Sequence, residues 1–224
     1  MKVSVIIRVY NAEKTIRKAV ASALNQDFPK KDFEIIIVND GSTDNSLEIL
    51  KSYKKKIRLI NQKNQGAVAA ANRGFKEARG KYIIVLDADD CFETNILREM
   101  AAVLDKRPQV DFVYSDYYEK SKEGEIKLIS TKNIFNTVAS GIMFRKSKFK
   151  KEGFYREDIK FPEYDLLLKT QDKWQGHHLA KPLFYYNRKE ESLTGDKKWV
   201  KTALAELRKL HPKKLEEIKK IRKY

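Results

Sequence analysis

Cysteine is almost missing from this chain. Cys91 is the only one in 224 residues, so no internal disulfide can form, and a reducing, cytoplasmic setting is the natural expectation. Glycine is scarce as well, at nine residues. Neither Gly-x-Gly-x-x-Gly nor Gly-x-x-x-x-Gly-Lys-Ser/Thr occurs, which removes the usual dinucleotide and phosphate-loop sites; any nucleotide must be held in another way. No apolar run approaches the ~20 residues that cross a bilayer. Met1 to Ile7 leads straight into a strand without the long apolar core of a cleavable signal, so no leader is expected.

What is present is a cationic α/β chain with an ordinary 42% of hydrophobic residues and a formal charge of +16. Residues 197–224 hold eleven Lys/Arg against three Glu, half of that excess. Such a charge suits anionic ligands without choosing among them. The first ninety residues alternate strand and helix. Val3–Val9, Phe33–Val38, Ile57–Ile60 and Tyr82–Leu86 read as strands, and Val3–Val9 is apolar enough to be buried on both faces. Ala12–Leu24, a segment carrying Leu47, Ile49 and Leu50 that Ser42 or Thr43 can cap, and the alanine-rich Gly66–Ala78 read as helices. This alternation predicts right-handed crossovers in a mostly parallel sheet, with ligands at the carboxyl ends of its strands. Beyond Cys91 the pattern is mixed: helices at Asn95–Leu104 and Tyr164–Trp174, strands at Val110–Tyr118 and Leu179–Tyr186, a short apolar Val138–Phe144, and a hairpin at Lys122-Glu123-Gly124. One boundary is expected near residue 195, before a basic helical tail broken at His211-Pro212.

Two acidic turns fall at strand ends. Val85-Leu86-Asp87-Ala88-Asp89-Asp90 releases three carboxylates within four residues. Carboxylates so close raise one another's pKa unless positive charge sits among them, and a divalent cation that also holds a diphosphate is the usual answer. Asn39-Asp40-Gly41-Ser42-Thr43-Asp44 is the second; locally, turn and capping chemistry explains it as well as a ligand does. His177 and His178 precede a strand and read as structural, and His211 reads as a surface residue.

Taken together, these segments resemble family 2 glycosyltransferases of the GT-A fold. The resemblance is carried by Val3 to Asn11, by Val38 to Asp44, by Asn64-Gln65-Gly66 with Ala71-Asn72-Arg73-Gly74, and by Leu86 to Asp90, in that order over residues 3–90; it continues more loosely to about residue 194. It implies donor binding in residues 1–90, acceptor recognition in 91–195, and a nucleotide-diphosphate sugar donor, UDP-linked as a first assignment. Tyr10, Glu13 and Asp40 would hold base and ribose, Asp87 would contact ribose or sugar, and Asn11, Gly66, Asn72, Arg73 and Ala88 would complete the donor site. Asp89 would ligate Mn²⁺ or Mg²⁺. In Pro162-Glu163-Tyr164-Asp165-Leu166 the family's catalytic base falls on Glu163, with Asp165 as a second candidate and Arg156-Glu157-Asp158 as an upstream competitor. A single base without a nucleophile implies inversion.

Three departures from the family pattern stand out. Arg8 replaces a common proline, Lys189 occupies the place of a histidine often found near the metal, and no Gln-x-x-Arg-Trp is present. The last, with the missing membrane spans, argues against a processive polymer synthase. The acceptor is expected to be a saccharide or a lipid-linked hydroxyl. Two other classes stay open on the residues alone: a nucleotidyl-transferring enzyme, which would want a Gly/Arg-rich loop after the first strand, and a non-catalytic basic module. The tail's stripe of Trp199, Ala203, Leu207, Leu210, Leu215, Ile218 and Ile221 either lies on an anionic membrane, giving a peripheral association, or packs on the domain; nucleic acid is not an expected partner.

Overall fold

The computed structural model of the chain describes residues 1–188 and 196–220. Its first half is four parallel strands: β1 (Val3–Val9), β2 (Phe33–Asp40), β3 (Arg58–Gln62) and β4 (Tyr82–Asp87). They lie in the order β3-β2-β1-β4, with Val3 opposite both Phe33 and Tyr82. Both faces of β1 are covered, which is why its sequence runs apolar without alternation. Val5 and Ile7 pack toward α1 (Ile16–Leu24) and α4 (Ile96–Lys106), while Ile6 packs toward Ala70, Ala71 and Phe75 of α3 (Ala67–Glu77).

The second half continues the same sheet in mixed sense. β8 (Ile142–Arg145) runs antiparallel between β4 and β6 (Phe112–Lys120), and β9 (Gly176–Asn187) lies parallel to β6 on its other side. A two-residue β5 (Cys91–Phe92) pairs with β9, and β7 (Ile126–Ile129) closes the expected hairpin on β6 through Gly124, at φ 89°. The α/β architecture with flanking helices is as the sequence implied. Two elements were not legible there: β5, and α5 (Lys146–Lys151), which shows one buried residue, Phe149.

Local corrections have local causes. The first helix starts at Ile16 rather than Ala12, because Ala12 closes a turn whose carbonyl accepts from both Thr15 and Ile16. Neither Ser42 nor Thr43 caps α2 (Ser46–Lys51), whose cap position is Asn45; both residues are engaged by Asn11 instead. α6 spans Pro162–Thr170, with Pro162 in the first turn where its missing N–H costs nothing. Gly80 lies against the β1 backbone: a Cβ there would sit 2.5 Å from the Ser4 nitrogen and 2.7 Å from the Val3 carbonyl carbon. Gly80→Ala is therefore expected to lower stability by about 1–3 kcal/mol, read as a reduced urea midpoint at unchanged slope.

The basic tail is packed on the domain. It forms α7 (Lys197–Leu210) and α8 (Leu215–Lys220), with Val200, Ala203, Leu207 and Ile218 buried in the core on the α3 side of the sheet. Among the described residues of the stripe, Ala203, Leu207 and Ile218 are turned inward and Trp199 packs against the same core, whereas Leu210 is exposed; Lys197, Lys198, Lys201, Arg208 and Lys209 stay solvated. His211, expected at the surface, is instead mostly enclosed, with Nε2 2.8 Å from Asp165 Oδ1. His178 does have a structural role, 2.7 Å from the buried Asp116. No helix among the described residues is long and apolar enough to cross a membrane.

Candidate active site

The carboxyl ends of β1, β2 and β4 lie side by side, so the residues that follow them gather at one edge of the sheet. Tyr10 is 52% exposed there, its ring free to stack. Asn11 adopts φ 48°, a left-handed conformation that asparagine tolerates, and its Oδ1 accepts from the Thr43 N–H at 2.8 Å. Glu13 Oε2 accepts from the Asn45 N–H at 3.0 Å. These bonds knit the two turns into one rim. Asp40 is buried: Oδ1 accepts from Gln62 Nε2 and the Gln65 N–H, and Oδ2 from the Gly66 N–H, at 2.8–2.9 Å. It fixes the loop entering α3, where Gly66 takes φ 93°.

The three carboxylates after β4 have separate environments. Asp90 is buried, accepting from Ser140 Oγ at 2.9 Å and the Asn187 N–H at 3.0 Å. Burial and the neighbouring Asp87 and Asp89 push its carboxyl well above the usual range against the pull of those two donors. Asp90 is scaffold. Asp87 and Asp89 instead face a cavity of about 290 Å³. Asp87 Oδ1 accepts from Arg8 Nε at 2.8 Å, a contact set by register, since Arg8 and Asp87 are partners across β1 and β4. Burial works against the Arg8 charge, yet Asp87 holds the guanidinium protonated beyond its ordinary value. Arg8 lines this cavity, and the sequence reading, which noted it only in place of a common proline, gave it no role. A charge in a strand buried on both faces was the available signal.

Glu163, from the first turn of α6, lines the same cavity. Burial pushes its carboxyl up; its own backbone N–H and Arg8 oppose this, and Asp87 adds to it. Close by is Tyr155, buried, whose hydroxyl has no hydrogen-bond partner among the described residues. The other base candidates point elsewhere. Asp165 is 4% exposed and held by His211, Asp158 pairs with Arg156 at 2.6 Å on the surface, and Glu157 accepts from Asn72 Nδ2 at 2.9 Å. Asn72 also bonds Tyr155 in both directions, so it ties α3 to the second half of the chain. Arg73 is half exposed and pairs with Glu77 at 3.4 Å, off the cavity wall. Ala88 packs against the core beneath the acidic turn. Lys189 lies outside the described residues.

Among the described residues no cluster of three or more His, Cys, Asp or Glu could cage a metal. Asp89 and Asp87 offer oxygen donors on one turn, which fits a hard divalent ion that draws its other ligands from phosphate and water. Asp87 already has a cation in Arg8, and Asp89 lines the same cavity.

Residues 4–189 match the family model described as Glycosyl transferase family 2. The chain belongs to that family. Among its relatives, this family 2 chain is 32% identical over 222 residues to the minor teichoic acid biosynthesis protein GgaA of Bacillus subtilis, covering 88% of the chain and 49% of GgaA. Staphylococcus aureus TarS 1-349, solved in complex with UDP-GlcNAc, superposes with a TM-score of 0.74 at 25% identity over 86% of the chain and 60% of that TarS 1-349 chain. The mannosyltransferase PcManGT of Pyrobaculum calidifontis, solved with GDP-Man and Mn²⁺, gives a TM-score of 0.74 at 14% identity, over 92% of the chain and 62% of PcManGT, a likeness of fold. The family 2 chain thus spans about half the length of the curated GgaA and, for full-length TarS, 19%.

Proposed function

We propose that the chain transfers a sugar, with inversion, from a nucleotide-diphosphate sugar to a hydroxyl of a saccharide or lipid-linked acceptor. The observation that supports this most is one cavity shared by the Asp87–Asp89 turn and Glu163. A UDP-sugar is the first assignment for the donor, in keeping with UDP-GlcNAc bound to TarS. In this reading Tyr10, Asn11, Glu13 and Asp40 form the nucleoside end, with Asp40 acting partly by fixing the Gly66 loop. Arg8 keeps Asp87 oriented toward the donor sugar. Glu163 takes the proton from the attacking hydroxyl, worth roughly 10²–10⁴-fold for a positioned base. A divalent ion on Asp89, when bound, supplies positive charge against the departing diphosphate. The alternative, a basic module binding through its tail, has fewer apolar residues to offer a membrane, because Ala203, Leu207 and Ile218 are packed on the domain.

The test is a panel of nucleotide sugars, with and without Mn²⁺, scored by thermal stabilisation and by release of the nucleoside diphosphate. A UDP-sugar is expected to raise Tm further with Mn²⁺ present and to yield UDP; a chain that neither binds nor cleaves any member would contradict the proposal. The raised Glu163 pKa sets a second expectation. The base works only when ionised, so as pH falls kcat should decline above the ordinary glutamate range near 4.3. A pH–rate profile that falls only within or below that ordinary range would count against Glu163 as the base.

A further inference from the structure

The tail reaches the catalytic cavity. Trp199, on the first turn of α7, lines the same space as Asp89 and Glu163. Its position is fixed from two sides. Asp196 Oδ1 caps the helix by accepting from the Lys198 N–H at 2.8 Å and the Trp199 N–H at 3.1 Å. The indole meets Phe161 edge to face, with centroids 5.0 Å apart and planes at 87°.

Farther along, the same helix holds the segment that carries Glu163. Glu206 accepts from the Lys160 backbone N–H at 3.1 Å and from Lys160 Nζ at 2.6 Å. His211, which follows α7, pairs with Asp165 at 2.8 Å. Phe161, Lys160 and Asp165 flank Glu163 on either side, so the helix that presents the indole also grips the start of α6. Trp199 and the proposed base therefore form one rigid wall, whereas the Asp87–Asp89 turn comes from β4.

Whatever gives its proton to Glu163 must lie along that wall. A tryptophan held edge-on by a buried phenylalanine keeps its place without further ordering cost, and its flat apolar surface complements the C–H face of a sugar ring. An acyclic polyol offers no such face. We infer that Trp199 is the acceptor platform, and that the acceptor presents a pyranose ring at the site of transfer. This rests on the glycosyltransferase reading above and narrows its acceptor class.

The test uses the full chain and UDP release from the UDP-sugar that stabilises it, in the presence of a panel of methyl pyranosides and, separately, ribitol and glycerol phosphate. Trp199→Leu keeps apolar bulk and removes the ring; Trp199→Phe keeps an aromatic face. A stimulating pyranoside is expected, with its KM raised about tenfold or more by Trp199→Leu and kcat altered less, and with most of the loss recovered in Trp199→Phe. Equal KM values for the Leu variant and the unaltered chain would overturn the inference, as would stimulation by the acyclic polyols alone or by nothing on the panel. Absence of UDP release without and with every acceptor would instead remove the underlying glycosyltransferase reading. Should both variants lose their UDP-induced rise in Tm, Trp174→Phe settles the matter, because it leaves Trp199 as the only tryptophan. Its fluorescence should then respond saturably to the methyl pyranosides, and an unresponsive signal refutes the platform.

Discussion

Glu163→Gln is expected to lower transfer by about 10²–10⁴-fold while UDP-sugar binding survives. The carboxamide matches the carboxylate in shape, so the cavity wall stays intact, but it cannot accept a proton from the acceptor hydroxyl. Binding should persist because the proposed nucleoside end lies elsewhere, on the rim formed by Asn11, Thr43 and the Asp40-fixed loop. The measurement is kcat beside UDP-induced thermal stabilisation in the same preparation. Near-normal transfer would shift the base to Asp165 or Asp158. Each would then have to leave its present partner, His211 for the first and Arg156 for the second.

Asp89→Ala should cost at least about 10²-fold in turnover, the scale set by losing one preorganised electrostatic contact to a departing anion. Its diagnostic sign is the metal response: UDP should still bind, yet added Mn²⁺ should no longer increase the stabilisation. The neighbour Asp90 provides the contrast. That carboxyl is buried against Ser140 and Asn187, so Asp90→Ala is expected to act on folding, lowering Tm with or without nucleotide. If Mn²⁺ stabilises the UDP complex of Asp89→Ala as fully as that of the unaltered chain, the ion is held by other groups.

The first half was readable because its physics is periodic. Strands buried on both faces leave continuous apolar runs, and the polar groups that follow them stand out as turns at one sheet edge. Asp87 and Asp89 were legible for that reason, whereas Glu163 came from the family resemblance alone; the three share a cavity. The second half was less readable, since its strands are inserted out of order: β8 lies between β4 and β6, and β9 crosses to lie beside β6 with register shifts around Asp116. Long-range pairs were invisible for the same reason. Nothing near His211 in the sequence announces Asp165, and nothing near Asn72 announces Tyr155. Arg8 could have been found, because a guanidinium in the middle of a fully covered strand demands a counter-ion, and parallel register with Tyr82–Asp87 supplies one.

The insertion of Ile142–Arg145 beside β4 has a consequence for how the chain can be taken apart. A fragment ending after the acidic turn would leave the flank of Tyr82–Asp87 as a raw edge of unpaired N–H and C=O groups, open to association with other chains. The two halves fold as one object. Grafting a foreign second half would mean rebuilding the middle of a shared sheet, so new specificity is more readily sought by changing side chains on the cavity wall than by exchanging modules.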